Sequence, residues 1–389
     1  MVSIAEIADP AGFRDAVRQW LPMALRDDPA RGNEPFDPIA RQKWWMSTLN
    51  TQGLGTPHWP RDYGGVGMDL TRRAILAEEL ARADSPPLDL FMVSLNHVPE
   101  TLLHWGTEEQ KKRYLPQVAK GAVWCQGFSE PGAGSDLASL STRAELRGDE
   151  YVINGQKIWS SVSMYADHII LLARTGPREP KHAGISFFLL DTDMCGIEIR
   201  PIRQMNGEAK FGEIFLTDVR VPVENRVGEE NAGWMIAQTT LAAERGLFAL
   251  EQSERLRFAM EKFHRQALET NAPWLADVRL DRRFMELFAQ MQAVRVLIRK
   301  LLVADEGSEA ASFLPLHIKV LASELRRDFG DFLLEATGVE SQFQDPDRIP
   351  DLGDAEYTYL TAFSSLIGGG TNEIMRNVVA ERQLGMPRR

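Results

Sequence analysis

Tyr151-Val152-Ile153-Asn154-Gly155-Gln156-Lys157-Ile158-Trp159 decides the fold class. It is the clearest strand chemistry in a chain whose two ends read as helix. Two β-prone runs flank an Asn-Gly pair, and these residues adopt the left-handed backbone of a two-residue turn, so the stretch predicts a hairpin. Around it, from Val123 to Gly228, the apolar pattern has period two. His168–Ala173, Ile185–Leu190, Ile197–Ile202 and Glu213–Val221 read as further strands. Nothing helical of useful length separates them, which predicts a mostly antiparallel sheet, a small barrel or sandwich.

Outward from this block the pattern turns helical. Arg72–Arg82 is rich in Ala, Leu and Glu, and Thr107-Glu108-Glu109-Gln110 is a capping box that starts a helix. Pro57–Gly65 carries too many breakers for a helix and reads as an ordered loop. On the C-terminal side, Asn231–Glu269 reads as one long helix, interrupted by Pro273. Arg279–Ala304, Leu314–Gly338, Tyr357–Leu366 and Asn372–Leu384 follow. The fold class is therefore α+β and mostly α. Its three parts are an N-terminal helical domain (1–122), a middle antiparallel β-domain (123–230) and a C-terminal helical bundle (231–389). Ligand clefts favour such junctions.

Composition narrows the function. The chain has 389 residues with 44 Lys+Arg against 55 Asp+Glu, a net charge of −11. This gives no electrostatic footprint for nucleic acid. No apolar run approaches the roughly 18 residues of a membrane helix. The first residues lack the pattern of a secretory signal. Cys125 and Cys195 are far apart and have no metal-ligand spacing, so reduced thiols in a cytoplasmic protein, without a bound metal, are expected.

Four places carry chemistry. Ser129-Glu130-Pro131-Gly132-Ala133-Gly134-Ser135-Asp136 is either a tight turn or a loop whose N–H groups hold an anion. Trp159-Ser160-Ser161 is either a half-buried strand end or a platform beside a planar heterocycle. Glu244, before Arg245, has Thr240, Leu241, Leu247 and Phe248 as helical neighbours. A carboxylate on such an apolar surface is costly unless it is paired or used. Burial would raise its pKa towards that of a general base. Gly368-Gly369-Gly370-Thr371-Asn372-Glu373 is a hinge or leaves room for a phosphate at a helix start.

Taken in order, these words and three others resemble the acyl-CoA dehydrogenases along nearly the whole chain. The others are Trp59-Pro60 with Tyr63-Gly64-Gly65, Gly106-Thr107-Glu108-Glu109-Gln110-Lys111, and Asp218-Val219-Arg220-Val221-Pro222. The resemblance implies N-terminal helices, a middle β-domain and a C-terminal four-helix bundle. It implies FAD, with Gln126, Phe128 and Ser129 lining the flavin pyrimidine side and Gly134 and Ser135 near the pyrophosphate. Trp159 and Ser161 would flank the isoalloxazine, and Thr371 and Glu373 would contact FAD from the last helix. The implied reaction converts an acyl-CoA thioester to the trans-2-enoyl-CoA and passes electrons to an electron-transfer flavoprotein.

Many members place the catalytic glutamate two residues before the Thr of the last motif, and here that residue is Gly369. Other members place it in the long helix, before an Arg, and here that residue is Glu244. The resemblance thus makes Glu244 the base, with Arg245, Gly369 and Gly370 near the substrate. Two motifs by which typical members reach a neighbouring subunit's FAD are missing where the resemblance places them: an Arg-x-x-Phe-Gly between Leu268 and Phe288, and a Gly-Gly-x-Gly loop at Glu335–Ser341. The resemblance leaves open a homodimer or homotetramer, and a heteromer with a second acyl-CoA dehydrogenase-like subunit. An acyl-CoA oxidase and a non-catalytic scaffold subunit are the competing readings. A glycine at 369 leaves space for branching or bulk in the acyl group, and the resemblance to bacterial relatives built as heteromers implies steroid-side-chain or dicarboxylyl substrates.

Overall fold

The computed structural model describes residues 3–31, 37–243, 247–305, 307–342 and 352–387. The chain folds into two compact units. One comprises Met1–Asp9, Arg26–Asp69 and Pro86–Glu244; the other comprises Pro10–Leu25, Leu70–Ser85 and Arg245–Arg389. The N-terminal helices are thus shared between them: α1 (Pro10–Ala24) and α3 (Leu70–Arg82) belong to the second unit, and α2 (Pro38–Asn50), α4 (Val98–Trp105) and α5 (Glu108–Ala119) to the first.

The first unit is built on eight strands: β1 (Trp124–Gly127), β2 (Arg143–Arg147), β3 (Glu150–Ser161), β4 (His168–Arg174), β5 (Ile185–Asp191), β6 (Ile197–Ile202), β7 (Phe211–Pro222) and β8 (Arg226–Val227). Their order is β6-β7-β3-β2-β4-β5-β8, with β1 parallel to β4. All other neighbours run antiparallel except β2 and β4, which meet at a single parallel pair, Arg143 with Arg174. β4 and β5 are buried on both faces, which is why their sequences are continuous apolar runs. Ile170, Leu172, Phe187 and Leu189 face one core with Tyr114, Leu115 and Trp124. Ile169, Leu171, Phe188 and Leu190 face the other, with Tyr151, Ile153 and Ile214 of β3 and β7. Cys125 lies in this second core, where burial pushes its thiol pKa up.

The expected hairpin is placed differently. β3 runs unbroken through Asn154 and Gly155, and the turn is Gly148-Asp149, between Arg147 and its partner Glu150. Gly148 supplies the positive φ of 69°. Asn154 instead holds a bulge in the facing strand, accepting from the Asp218 N–H and donating to its carboxylate, both at 2.9 Å. Gly155 is required because a Cβ there would meet Thr142 Oγ1 at 2.4 Å.

The capping box of α5 forms as read: Gln110 N donates to Thr107 Oγ1, and Thr107 N to Gln110 Oε1. The Gln110 amide also donates to the carbonyls of Glu224 and Arg226, tying α5 to the start of β8 and the turn before it.

The long helix expected from Asn231 is described as α6 (Gly233–Ala243) in the first unit and α7 (Leu247–Thr270) in the second. α8 (Val278–Leu302), α9 (Glu309–Thr337), α10 (Ala355–Ile367) and α11 (Asn372–Val378) follow. In this second unit α8 packs on α7 and α9, α10 on α9, α3 on α7, and α1 on α3. Aromatic side chains fill the centre, with Phe263 stacked on Trp274 at 5.6 Å beside Phe284 and Phe332. The last helix loses its regular pitch at Val379 and ends in a wider turn through Gln383. Glu79 of α3 is buried among three arginines: Arg14 at 2.6 Å, Arg18 at 2.9 Å and Arg82 at 2.8 Å. Burial alone would raise its pKa, but the three hydrogen bonds outweigh that and hold it below the usual carboxylate range.

Candidate functional site

In the first unit, two chain segments meet. One is the end of β1 and the loop after it; the other is the end of β3. They are joined by Ile158 N donating to Ser129 O at 2.9 Å. Gln126, Phe128 and Ser129 lie on the first segment, and Trp159 and Ser161 on the second.

The β3 end is shaped by a bulge. Lys157 pairs with Ile214 and Ser160 with Gly212, so Ile158 and Trp159 together oppose Glu213 alone. Bulges re-aim side chains and recur beside active sites. Trp159 takes φ 60°, a left-handed conformation that is an outlier for a bulky residue and costs about 1–3 kcal/mol. Its indole is 58% exposed, with Phe211 edge-on at 6.3 Å. A strained strand that presents a large aromatic face suits a planar ligand better than it suits the fold alone.

The loop after β1 turns tightly. Glu130 N donates to Ala133 O and Ala133 N to Glu130 O, each at 3.0 Å. Gly134 and Ser135 beyond it are exposed. Gly132 and Gly134 lack positive φ, and a Cβ on either would meet nothing within 4 Å. The backbone therefore does not demand these glycines, and a ligand approaching the backbone closely gives them a reason.

Buried polar atoms also point to a missing partner. Among the described residues, Gln126 Nε2 and Ser160 Oγ are buried with no hydrogen-bond partner. An unpaired buried donor costs about 1–3 kcal/mol. A flavin fits these residues: its ring carbonyls and nitrogens accept such donors, its flat face suits the Trp159 indole, and its pyrophosphate suits open backbone at Gly134.

Two residues beneath this surface were quoted in the motifs without a role. Lys157 is fully buried; its Nζ donates to Glu130 Oε1 at 2.8 Å and to Phe128 O at 3.1 Å. Glu130 also accepts the N–H groups of Ser141 and Thr142, at 2.6 and 2.8 Å. Burial pulls the Lys157 ammonium down to about 8, with Glu130 pulling the other way. Burial would raise Glu130, but the Lys157 charge and the hydrogen bonds hold it below its usual range. The signal was legible: Lys157 has the same parity along the strand as the core residues Tyr151 and Ile153.

The remaining expected residues belong to the second unit. Gly369 and Gly370 have φ 66° and 91°. Thr371 caps α11, its hydroxyl accepting from Ile374 N at 3.2 Å. Glu373 is exposed. Sequence reading missed the anchor of this loop. Lys319 of α9 donates to Leu366 O at 3.0 Å and to the buried Asn372 Oδ1 at 2.6 Å, which also accepts from Ser323. Glu244 and Arg245 lie outside the described residues. Of the side chains expected around Glu244, Thr240 is buried and bonded to Thr101 at 2.7 Å, and Leu241 packs on the core; those of Leu247 and Phe248 lie outside. A cleft of about 590 Å³ beside Trp105, Tyr114 and Arg226 holds none of the expected site residues. Among the described residues, no helix is long and apolar enough to cross a membrane.

Comparison with known proteins identifies the family. Residues 9–122 match the N-terminal domain of acyl-CoA dehydrogenases, 125–219 the middle domain and 231–384 the C-terminal domain. Acyl-CoA dehydrogenase IpdE1 of Mycolicibacterium smegmatis is 35% identical over 97% of both chains. The solved Tcur3481-Tcur3483 steroid ACAD is 33% identical, with a TM-score of 0.85 over 99% of each chain. The ChsE4-ChsE5 complex of Mycobacterium tuberculosis is 29% identical, with a TM-score of 0.80 over 98% of each. With three domain models in register and full-length relatives above 30% identity, the chain belongs to the acyl-CoA dehydrogenase family of oxidoreductases.

Proposed function

We propose that this chain is the base-bearing, FAD-binding subunit of a heteromeric dehydrogenase acting on bulky acyl-CoA thioesters. The observation that carries the flavin part is the joining of the Gln126–Ser129 segment to the end of β3, with an unpartnered buried amide on the first and an exposed, strained indole on the second. Gln126, Phe128 and Ser129 hold the pyrimidine side, Gly134 and Ser135 the pyrophosphate, Trp159 and Ser161 the isoalloxazine, and Thr371 and Glu373 of α11 add contacts. Along the chain, the family's domains run 1–122, 123–230 and 231–389.

When bound, FAD would supply a hydride acceptor for the substrate β-carbon, with the electrons then going to an electron-transfer flavoprotein. Glu244 removes the α-proton, with Arg245 beside it as electrostatic support. Gly369 occupies the position where many members carry the glutamate, so no carboxylate there competes for the proton. Its lack of a side chain, with Gly370 next to it, leaves room for a branched or cyclic acyl chain. Similarity to a steroid ACAD supports that substrate class. The heteromer is supported by the two missing cross-subunit motifs and by similarity to the ChsE4-ChsE5 complex.

The test is the visible spectrum of the purified protein under anaerobic conditions, before and after adding straight-chain, branched, dicarboxylyl and steroid-side-chain acyl-CoAs. Flavin bands that bleach with a bulky thioester are expected once a homologous subunit is co-expressed. Full flavin occupancy and turnover by this chain alone would sink the heteromer. Bleaching by straight chains only would sink the substrate class.

A further inference from the structure

We infer that the buried Lys157–Glu130 pair is a positioning device that sets the two flavin-holding segments, rather than a source of stability for the fold. The inference rests on the FAD reading above.

The geometry argues for positioning. One ammonium and one carboxylate join three separate segments: Phe128 and Glu130 after β1, Ser141 and Thr142 before β2, and Lys157 in β3. In a planar trans peptide the C=O and the following N–H point in opposite directions. Lys157 holds the Phe128 carbonyl inward, so the Ser129 N–H is turned outward, away from the buried ammonium. Ile158 N then holds the Ser129 carbonyl, and the Glu130 N–H turns back to Ala133 O. The pair thus dictates the alternation of peptide planes along the segment that ends at Ser129.

Lys157 is also the last residue of β3 in register before the bulge at Ile158-Trp159. Buried side chains pin a strand's register, because a slip of one residue sends every side chain to the other face. A buried ammonium with fixed partners is such a pin, two residues from Trp159. Arg174 holds the neighbouring segment independently, donating to Ala138 O at 2.7 Å and Leu140 O at 3.2 Å.

Stability does not explain the pair. Buried ion pairs can often be replaced by apolar groups without loss, because desolvation cancels their attraction. What apolar groups cannot reproduce is the direction of these bonds.

The experiment uses Lys157→Met and Lys157→Met/Glu130→Gln in the full chain, co-expressed with its partner subunit where wild type needs one. Three quantities are read: the unfolding midpoint of the apoprotein, the FAD dissociation constant by titration of the apoprotein, and the resolution of the flavin absorption bands. In the double variant, which leaves no unpaired charge, we expect a near wild-type midpoint. We expect FAD affinity at least about tenfold weaker and flavin bands that lose fine structure. FAD affinity and bands equal to wild type would overturn the inference. So would a fall in midpoint with unchanged affinity, or failure of both variants to fold, since each makes the pair merely structural. Wild type that takes up no FAD would overturn the flavin reading itself, and this inference with it.

Discussion

Two glycine-rich stretches look alike in the sequence and have opposite physical causes. In Gly132-Ala133-Gly134 neither glycine has a positive φ, and the space where a Cβ would sit is empty. In Gly369-Gly370 both residues are left-handed, and the chain just beyond is gripped by Lys319 and Ser323 through Asn372. The backbone of the first stretch does not demand its glycines, whereas the second stretch needs them to turn. A glycine motif whose conformation does not demand glycine is therefore the stronger pointer to a ligand.

Buried carboxylates differ in the same way. Glu79 is clamped by arginines that reach solvent, with Arg18 and Arg82 each 45% exposed. Glu130 is held by a fully buried lysine and two backbone N–H groups. Arginine forks are content at a wet edge, whereas the lysine is dehydrated and needs both its partners. The first clamp secures a helix pair, and the second joins the segments after β1, before β2 and in β3.

The largest expected effect lies in neither stretch. Glu244→Gln should keep flavin and fold and lose about 10²–10⁴-fold in turnover, the range of a general base. A variant with wild-type turnover would return the chain to the scaffold reading.

Gly134→Val should sharpen the first half of the comparison. The FAD dissociation constant should rise at least about tenfold, while apoprotein stability stays within about 0.5 kcal/mol. Equal losses of both would mean that the fold does need this glycine.

Gly369→Ala tests the other half. A left-handed alanine costs about 1–2 kcal/mol, so chemical denaturation of the apoprotein should show that loss. An unchanged midpoint would break the contrast between the stretches.

The last expected effect is a pH dependence. Glu79 titrates below its usual range when folded, so its stabilising contribution is present above about pH 4.3, the unfolded value. That contribution fades as pH falls through the lower folded pKa. Glu79→Gln should cost about 1–3 kcal/mol near neutral pH. The gap from wild type should narrow on acidification. A gap that stays constant as pH falls from neutral to well below about 4.3 would contradict the clamp.

Much was legible from local pattern. The alternation in Ile197–Ile202, the continuous apolar run of Ile185–Leu190 and the Thr107 capping box are short-range signals, and each element formed within two residues of its reading. The Asn154-Gly155 turn failed for a tertiary reason. The crowding that requires Gly155 comes from Thr142, which is remote in sequence, and Asn154 serves the bulge opposite. The sharing of α1 and α3 with the C-terminal helices was equally hidden, because an amphipathic helix does not say which apolar surface it will cover.

Sequence by itself determined the family, the order of helices and strands, and the candidate residues, because residue type and spacing persist whatever the chain packs against. Only the tertiary structure decided that Trp159 would stand strained and exposed, that Lys157 would be buried against Glu130, and which glycines the backbone requires. Those outcomes depend on register, on remote partners and on the loss of water around a charge, none of which exists until the segments have met.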